Sequence, residues 1–285
     1  MSKDVHWFPG HMKKASIQIE EKLKIVDCVI ELLDARIPFS SRNNQLYELT
    51  KNKKRLVVLT KADLADDKIT AKWVKYFKEV GFAAIFANIN NHKDIQKIII
   101  NAEKLGEDKH KKEISRGMKP QPIRSMIIGI PNVGKSTLIN KIAGRKAASV
   151  ENKPGHTKSQ QWIKVSNKFE LLDTPGILQS NYDDSLKATN LALVGSINEN
   201  ILPNDVLCDK LLNYLKENYS DSFLNRYSLS SIDVANNVLL EEIAIKRGLL
   251  VKGGPDINKA QILLLNEFKN GKIGKISLER EPKCL

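Results

Sequence analysis

The chain has 285 residues, enough for about two domains of ordinary size. Lysine and arginine together number 46 against 33 aspartate and glutamate residues, a formal net charge of +13. This excess favours a polyanion or an anionic membrane surface over an acidic protein partner, although a merely soluble basic surface would give the same composition. The cysteines, Cys28, Cys208 and Cys284, form no C-x-x-C pair, which argues against a zinc site or a disulfide framework and favours reduced cytosol.

The first residues lack the apolar core of a signal peptide and the arginine-rich pattern of a presequence. No nearby apolar run approaches the length that spans a membrane. We therefore expect a cytoplasmic protein with no membrane partner. The sequence does not fix the oligomeric state, and a monomer is the expectation.

Four short apolar runs predict buried parallel strands, because each ends in a polar or glycine-bearing turn. Segments with helical spacing separate them, and this alternation predicts an open α/β sheet with ligand loops at the strand ends. Two further runs, 161–165 and 169–172, are separated by Ser166-Asn167-Lys168 and predict a β-hairpin. The four runs are Val26–Leu33, Leu56–Leu59, Phe82–Phe86 and Ser125–Ile128.

The segment 104–124 carries seven basic residues against three acidic ones, with two prolines and two glycines, and this composition predicts a mobile connector. We expect an α/β domain over residues 1–180 and a small all-α domain over residues 181–285. The basic tail of the second domain would either hold phosphates or form a solvated helix face. Apolar residues recur at helical intervals in this part of the chain, at Leu207, Leu211 and Leu215 and at Ile257, Ala260, Leu264 and Phe268.

A phosphate-loop motif, G-x-x-x-x-G-K-S, follows the fourth predicted strand and precedes the helical run Leu138–Ile142. A chance match in a glycine-rich turn is the alternative, but these flanks are the context that the motif requires. Its glycines let backbone N–H groups approach phosphates, Lys135 neutralises charge on the β- and γ-phosphates, and Ser136 places its hydroxyl on Mg²⁺. The motif is Gly129-Ile130-Pro131-Asn132-Val133-Gly134-Lys135-Ser136-Thr137, and nucleotide contacts are predicted from Asn132, Val133, Gly134, Lys135, Ser136 and Thr137.

A second phosphate motif, Asp173-Thr174-Pro175-Gly176, follows the predicted hairpin and fits the pattern D-x-x-G, which alone is also found in ordinary turns. Asp173 would hold Mg²⁺ through water, and the N–H of Gly176 would face the γ-phosphate. Thr157 lies between the two motifs and would close on Mg²⁺ and the γ-phosphate as part of a switch loop. Mg²⁺ is therefore the expected cofactor, with Ser136, Thr157 and Asp173 as its ligands.

The segment Thr60-Lys61-Ala62-Asp63 follows the second predicted strand and is similar to the N-K-x-D guanine motif. Asp63 would accept hydrogen bonds from the guanine N1–H and 2-amino groups, which adenine cannot supply. Thr60 replaces the usual asparagine and removes one amide contact, a change that bears on affinity more than on specificity. After the third strand, Ala87-Asn88 stands where Ser-Ala is usual, and its backbone can still support the guanine oxygen. GTP and GDP are thus the predicted ligands.

These motifs occur in an unusual order, because the guanine motifs precede the phosphate loop. Circular permutation preserves the site, since the sheet rather than the chain order positions the loops. Together with four further segments, this order closely resembles the YlqF/RbgA family of ribosome biogenesis GTPases over essentially the whole chain. The resemblance implies a circularly permuted P-loop GTPase domain with a mostly parallel sheet, followed by a small all-α domain. The four segments are Trp7-Phe8-Pro9-Gly10-His11-Met12, Asp34-Ala35-Arg36-Ile37-Pro38, Gly253-Gly254-Pro255-Asp256 and Gly271-Lys272-Ile273-Gly274.

The resemblance also implies roles for individual residues. Ile177 occupies the place of the glutamine that positions water in many GTPases, and it cannot hydrogen-bond. His11 is implied to swing towards the γ-phosphate and orient water when the protein meets its target, although a lone histidine near a terminus is more often a packed or solvent residue. Asn132 resembles an asparagine that coordinates K⁺ in potassium-activated GTPases, with capping of the loop as an equal alternative. Asp34-Ala35-Arg36 would orient the nucleotide domain, grip RNA, or form an exposed ion pair.

The leading hypothesis is a GTPase, stimulated by the ribosomal subunit, that assists a late step of large-subunit assembly. It would bind the large subunit and its RNA in the GTP state, hydrolyse GTP to GDP and phosphate, and leave. One alternative is a GTP-stabilised RNA-binding module with little turnover. Another is a membrane or tRNA-modifying GTPase, for which an amphipathic anchor or an added catalytic domain would be expected.

Overall fold

The computed structural model describes Ile17 and residues 19–144, 162–172, 185–197 and 202–282. Its strands are β1 (Cys28–Asp34), β2 (Lys54–Thr60), β3 (Ala83–Phe86), β4 (Ile123–Ile128), β5 (Trp162–Ser166), β6 (Phe169–Leu172), β7 (Leu250–Val251) and β8 (Gly254–Pro255). Six of them form one sheet in the order β3-β2-β1-β4-β6-β5. Every neighbouring pair in it is parallel except the antiparallel hairpin β5–β6.

The predicted strands and hairpin are confirmed, with ends that shift by at most two residues. Strands β1 and β2 are buried almost throughout, as expected for parallel strands that are covered on both faces. Strand β4 is fourth in the chain yet lies in the middle of the sheet, between β1 and β6. The earlier strands form one side of the sheet and the later hairpin forms the other, so the loops after β1 to β4 reach the same edge.

Helix caps and apolar spacing explain the helices around this sheet, as Asp67–Glu79 illustrates. The carboxylate of Asp66 accepts hydrogen bonds from two N–H groups of its first turn. Trp73 and Phe77, one turn apart, are buried against β2 and β3. Residues 19–23 are also helical, and the helices with complete bounds are α1 (Asn44–Thr50), α2 (Asp67–Glu79), α3 (His92–Leu105), α4 (Glu107–Ser115), α5 (Lys135–Ala143), α6 (Ser185–Leu193), α7 (Asn204–Asn218), α8 (Ser220–Tyr227), α9 (Asn236–Lys246) and α10 (Ile257–Lys269).

The prediction of a mobile connector over residues 104–124 is wrong, because helix α4 occupies its centre. This helix buries no side chain, so apolar spacing could not reveal it. Polar contacts hold it instead: Lys109 pairs with Asp27 at 2.8 Å, and Asp108 pairs with Lys54 at 2.6 Å. Two acidic residues in its first turn also favour the helix through its dipole.

The regular elements described from Ser185 onward are helices, apart from the two-residue ladder β7–β8. The predicted periodic residues of α7 and α10 are largely buried, which confirms the helical prediction. One continuous cluster of buried apolar side chains runs from the sheet into these helices, and a domain boundary near residue 180 stays a prediction. Among the described residues, no helix combines the length and apolar character needed to cross a bilayer.

Candidate nucleotide-binding site

The phosphate loop connects β4 to α5 through two glycines in conformations that side chains rarely adopt. Gly129 has φ +153° and Gly134 has φ +109°. A Cβ on Gly129 would lie 2.7 Å from the carbonyl oxygen of Leu32, and one on Gly134 would lie 2.6 Å from Cδ1 of Ile89. At Gly129 the close atom belongs to the backbone and excludes a side chain, whereas at Gly134 the terminal methyl of Ile89 could shift and the positive φ is what favours glycine. The result is a backbone-lined cradle at a helix N-terminus, the environment that phosphate oxygens require.

Polar side chains line this cradle at the start of α5. Lys135 is buried, and its ammonium donates to the carbonyl oxygen of Ile130 at 2.5 Å, which folds it back over the loop. Ser136 and Thr137 are exposed beside it. A lysine and a hydroxyl at this position match the needs of a bound nucleotide tail.

Two loop residues tie the cradle to its surroundings. Asn132 has φ +58°, and its side-chain amide donates to the carbonyl oxygen of Gly195, just after α6, at 2.9 Å. Val133 is fully buried, and its carbonyl oxygen faces the hydroxyl of Thr60. The phosphate loop therefore contacts the helical part of the chain on one side and the predicted guanine loop on the other.

Thr60 links the predicted guanine loop to the phosphate loop. Its buried hydroxyl lies 2.8 Å from the carbonyl oxygen of Val133 and 3.0 Å from that of Leu33. A hydroxyl carries one proton, so the two carbonyls share it. Thr60 lacks the amide of the usual asparagine, but its hydroxyl joins the two loops. Asp63, three residues later, is exposed at the same edge of the sheet.

Lys61 extends from the guanine loop to a buried ion-pair network. Its ammonium lies 3.0 Å from the carboxylate of Asp34, which also pairs with Arg36 at 2.8 Å. Burial by itself would raise the pKa of Asp34, but Arg36 and Lys61 hold that pKa well below its usual range. Arg36 is only 1% exposed and donates to the backbone carbonyl of Lys269 in α10 at 3.2 Å. The Asp34–Arg36 pair is thus neither exposed nor placed to grip RNA; it orients loops.

The loop after β3 lies beside the guanine loop. The N–H of Ala62 points to the carbonyl oxygen of Ala87 at a long 3.5 Å. The backbone N–H of Asn88 donates to the carboxylate of Asp94 at 2.8 Å, which fixes the turn into α3. This geometry brings Ala87 and Asn88 next to the predicted base-binding residues.

Four predicted site residues, His11, Thr157, Asp173 and Gly176, lie outside the described residues. Ser136 is the described member of the predicted Mg²⁺ set. Mg²⁺ usually takes one or two protein ligands together with phosphate oxygens, and an exposed hydroxyl at the rim of a phosphate cradle fits that requirement. The described part of the chain holds no group of three or more His, Cys, Asp or Glu side chains suited to a metal ion.

The loops that follow β1, β2, β3 and β4 thus converge at one edge of the sheet, with a phosphate cradle after β4 and an exposed carboxylate after β2. The guanine-type motif comes first in the chain and the phosphate loop second. This combination defines a circularly permuted P-loop GTPase.

Comparison with known proteins narrows this class to one family. The family described as "50S ribosome-binding GTPase" matches residues 124–228. Ribosome biogenesis GTPase A of Bacillus cereus is 44% identical over 96% of this chain and 93% of that protein. The same-named protein of Priestia megaterium is 42% identical over 96% of each. The solved structure of GNP-bound YlqF from T. maritima aligns with a TM-score of 0.61 at 31% identity, over 94% of this chain and 98% of that one. The chain belongs to the ribosome biogenesis GTPase A (YlqF) family, and it is a GTPase.

Sequence reasoning missed the contacts that reach this site from the far end of the chain. The backbone N–H of Asp66, three residues after Asp63, donates to the hydroxyl of Ser277, which lies 211 positions away. The carboxylate of Glu279 binds the loop that follows Arg36. No local pattern in the sequence signals these contacts, because Ser277 and Glu279 belong to no periodic or motif-bearing segment.

Proposed function

We propose that this GTPase assists a late step in assembly of the large ribosomal subunit in the cytoplasm, binding the particle and its RNA in the GTP state and leaving after hydrolysis. The observation that carries the proposal is the nearly end-to-end match to proteins named ribosome biogenesis GTPase A. A complete phosphate loop argues against the alternative of a GTP-stabilised binding module, since Lys135 and Ser136 are both in place.

RNA binding is proposed for the basic helical region, where residues 246–283 carry nine basic residues against four acidic ones. Lys252, in the turn between β7 and β8, is exposed, and so is Lys272 after α10. Leu250 and Val251, the two residues of β7, are 60% and 50% exposed. Exposed ammonium groups beside exposed apolar side chains suit contact with phosphates and with the sugars or bases next to them.

Hydrolysis needs charge neutralisation and an oriented water molecule. Lys135 would neutralise charge on the β- and γ-phosphates, and Ser136, Thr157 and Asp173 would hold Mg²⁺. When bound, the ion would supply positive charge to offset the negative charge that develops on the phosphates during hydrolysis. The position after D-x-x-G is Ile177, so we assign the orientation of water to His11, in line with the family resemblance. Docking on the subunit would bring His11 to the γ-phosphate.

We further propose that Asn132 provides a K⁺ ligand beside the phosphates. Its amide nitrogen is engaged by the carbonyl oxygen of Gly195, which directs the amide while leaving the side-chain oxygen for a cation. An amide oxygen is a suitable hard ligand for an alkali cation. GTP hydrolysis should therefore be faster in potassium than in sodium, and Asn132→Ala should remove that difference.

The test is GTP hydrolysis by the wild type, His11→Ala and the control His6→Ala, each with and without large subunits, in potassium and then in sodium. Loss of a positioned proton-accepting group typically lowers a rate by about 100-fold or more. We expect the subunit to stimulate the wild type and the control, and His11→Ala to lose that stimulation while it still binds GTP. If no ribosomal subunit stimulates GTP hydrolysis by the wild type, the result would instead support the GTP-stabilised RNA-binding module.

A further inference from the structure

The segment after α10 returns to the edge of the sheet that carries the nucleotide loops. We call residues 275–281 the C-terminal strap. The N–H of Ile276 donates to the carbonyl oxygen of Leu64 at 3.0 Å, and the hydroxyl of Ser277 accepts from the N–H of Asp66 at 3.1 Å. Leu64 and Asp66 lie one and three residues after Asp63. The strap therefore holds the backbone directly behind the carboxylate that would read guanine.

Ser277 is itself fixed from the opposite side. It is fully buried, and its carbonyl oxygen accepts from the hydroxyl of Tyr214 at 2.6 Å. Its N–H donates to the hydroxyl of Tyr219 at 3.1 Å. Both tyrosines belong to the helical part of the chain, so the position of Asp66 is set through Ser277 by those helices.

Packing at Leu64 adds a second constraint to the guanine loop. Gly271 has φ +68°, and a Cβ at this position would lie 2.8 Å from Cδ2 of Leu64. The turn that follows α10 therefore packs directly on Leu64, next to the guanine loop, and a side chain at position 271 would displace the Leu64 methyl and strain the backbone.

The second half of the strap holds the loop that follows Asp34 and Arg36. The carboxylate of Glu279 accepts from the N–H of Phe39 at 2.6 Å and from the N–H of Ser40 at 3.0 Å. It also accepts from the hydroxyl of Ser40. The N–H of Leu278 donates to the carbonyl oxygen of Arg36 at 2.9 Å. Because Asp34 is the partner of Lys61, this contact supports the guanine loop from its other end.

We infer that Ser277 and Glu279 are positioning residues of the guanine site: they hold the loop so that Asp63 can make both of its hydrogen bonds to the base. Asp63 is exposed and has no partner of its own within the described residues. Its placement depends on the backbone on either side, and the strap supports both sides. The inference rests on the assignment of residues 60–63 as the guanine loop.

The test compares the dissociation constants of GDP and inosine diphosphate, whose base lacks the 2-amino group, for the wild type, Ser277→Ala and Glu279→Gln. A displaced Asp63 weakens two hydrogen bonds in the GDP complex, to N1–H and to the 2-amino group, but only the N1–H bond in the inosine diphosphate complex. We expect each variant to weaken GDP binding by about fivefold, the effect of one net hydrogen bond, and inosine diphosphate binding by less. The preference for GDP should shrink accordingly. The matched control is Glu281→Gln, two residues further along the strap, where an exposed glutamate pairs with Lys72 at the surface.

The ratio of the two dissociation constants does not depend on the fraction of folded protein, so a destabilised variant still gives an answer. Wild-type preference for GDP in both strap variants, even with a lowered melting temperature, would show that the strap has only a structural role. The variant Asp63→Asn separates the assignment of the guanine loop from the positioning role of the strap. If it leaves the preference for GDP unchanged, the guanine-loop assignment fails; if it abolishes the preference while the strap variants retain it, the strap inference alone fails.

Discussion

Replacing Thr60 by valine should weaken nucleotide binding, because the Thr60 hydroxyl joins the guanine loop to the phosphate loop. Valine keeps the shape of threonine and removes only the hydroxyl that is shared by the carbonyl oxygens of Val133 and Leu33. The site is fully buried, so water cannot replace the lost donor. A typical buried hydrogen bond contributes about 1 kcal/mol, and an unsatisfied buried acceptor costs about 1–3 kcal/mol.

Part of the free energy lost with the Thr60 hydroxyl should appear as weaker GDP binding, because this hydroxyl joins the loop that reads the base to the loop that holds the phosphates. A loss of about 1–2 kcal/mol corresponds to an increase of about 5- to 30-fold in the dissociation constant of GDP. Thr60→Ser is the matched variant: it keeps the hydroxyl and loses a buried methyl group, which should cost about 1 kcal/mol of folding stability. It should bind GDP nearly as tightly as the wild type.

The assay is equilibrium titration with a fluorescent GDP analogue, alongside urea unfolding of the nucleotide-free proteins. The reasoning requires the valine variant to lose affinity and the serine variant to lose mainly stability. Equal GDP affinity in the two variants would refute it, because the hydroxyl would then be irrelevant to the alignment of the loops.

Two further predictions follow from buried charged and titratable groups. Arg36→Met should lower the free energy of unfolding by about 3 kcal/mol at pH 7, because it leaves Lys61 as the one charged partner of the buried Asp34 carboxylate among the described residues. The pKa of Asp34 is depressed in the folded state, so the ionised carboxylate contributes to stability above pH ~4, and this contribution is lost as the pH falls below that value. Urea unfolding should therefore show that the difference in unfolding free energy between the wild type and the variant becomes smaller below pH ~4. Burial raises the pKa of Cys28 to about 11 and that of Cys208 to about 12, so both thiols stay protonated at pH 8. Peptide mapping after iodoacetamide treatment should find both unmodified in the native protein and alkylated in urea, and native alkylation would contradict their burial.

The sequence predicted those features that depend on short-range patterns. Strands β1 and β2 are mostly apolar because both faces of the sheet are covered there, and the apolar residues of α7 repeat at helical intervals because one face is buried. The phosphate loop was predictable for a similar reason: the chemistry of phosphate binding confines its glycines, lysine and hydroxyl to fixed spacings within one short segment.

Features that depend on distant or purely polar contacts escaped prediction. Helix α4 has no apolar face, so its composition alone resembled a connector. Glu31 and Arg55 form a buried ion pair at 2.5 Å inside two apolar strands, where only the fold brings the opposite charges together. The bonds of the strap to the guanine loop join residues more than 200 positions apart. Long-range pairs of this kind leave no periodicity in the chain.

The turn after α6 contacts both the phosphate loop and the loops on the base side of the nucleotide site. Gly195 accepts from Asn132 of the phosphate loop, and Arg36, which holds the partner of Lys61, donates to the neighbouring carbonyl of Val194 at 3.5 Å. One turn of the helical region is thus bonded to the phosphate side and to the base side of the nucleotide site. A nucleotide that displaces Asn132 must break or carry along the bond to Gly195. The phosphate loop is therefore joined by a direct hydrogen bond to the first described turn of the helical region, whose later part, residues 246–283, is proposed to bind RNA.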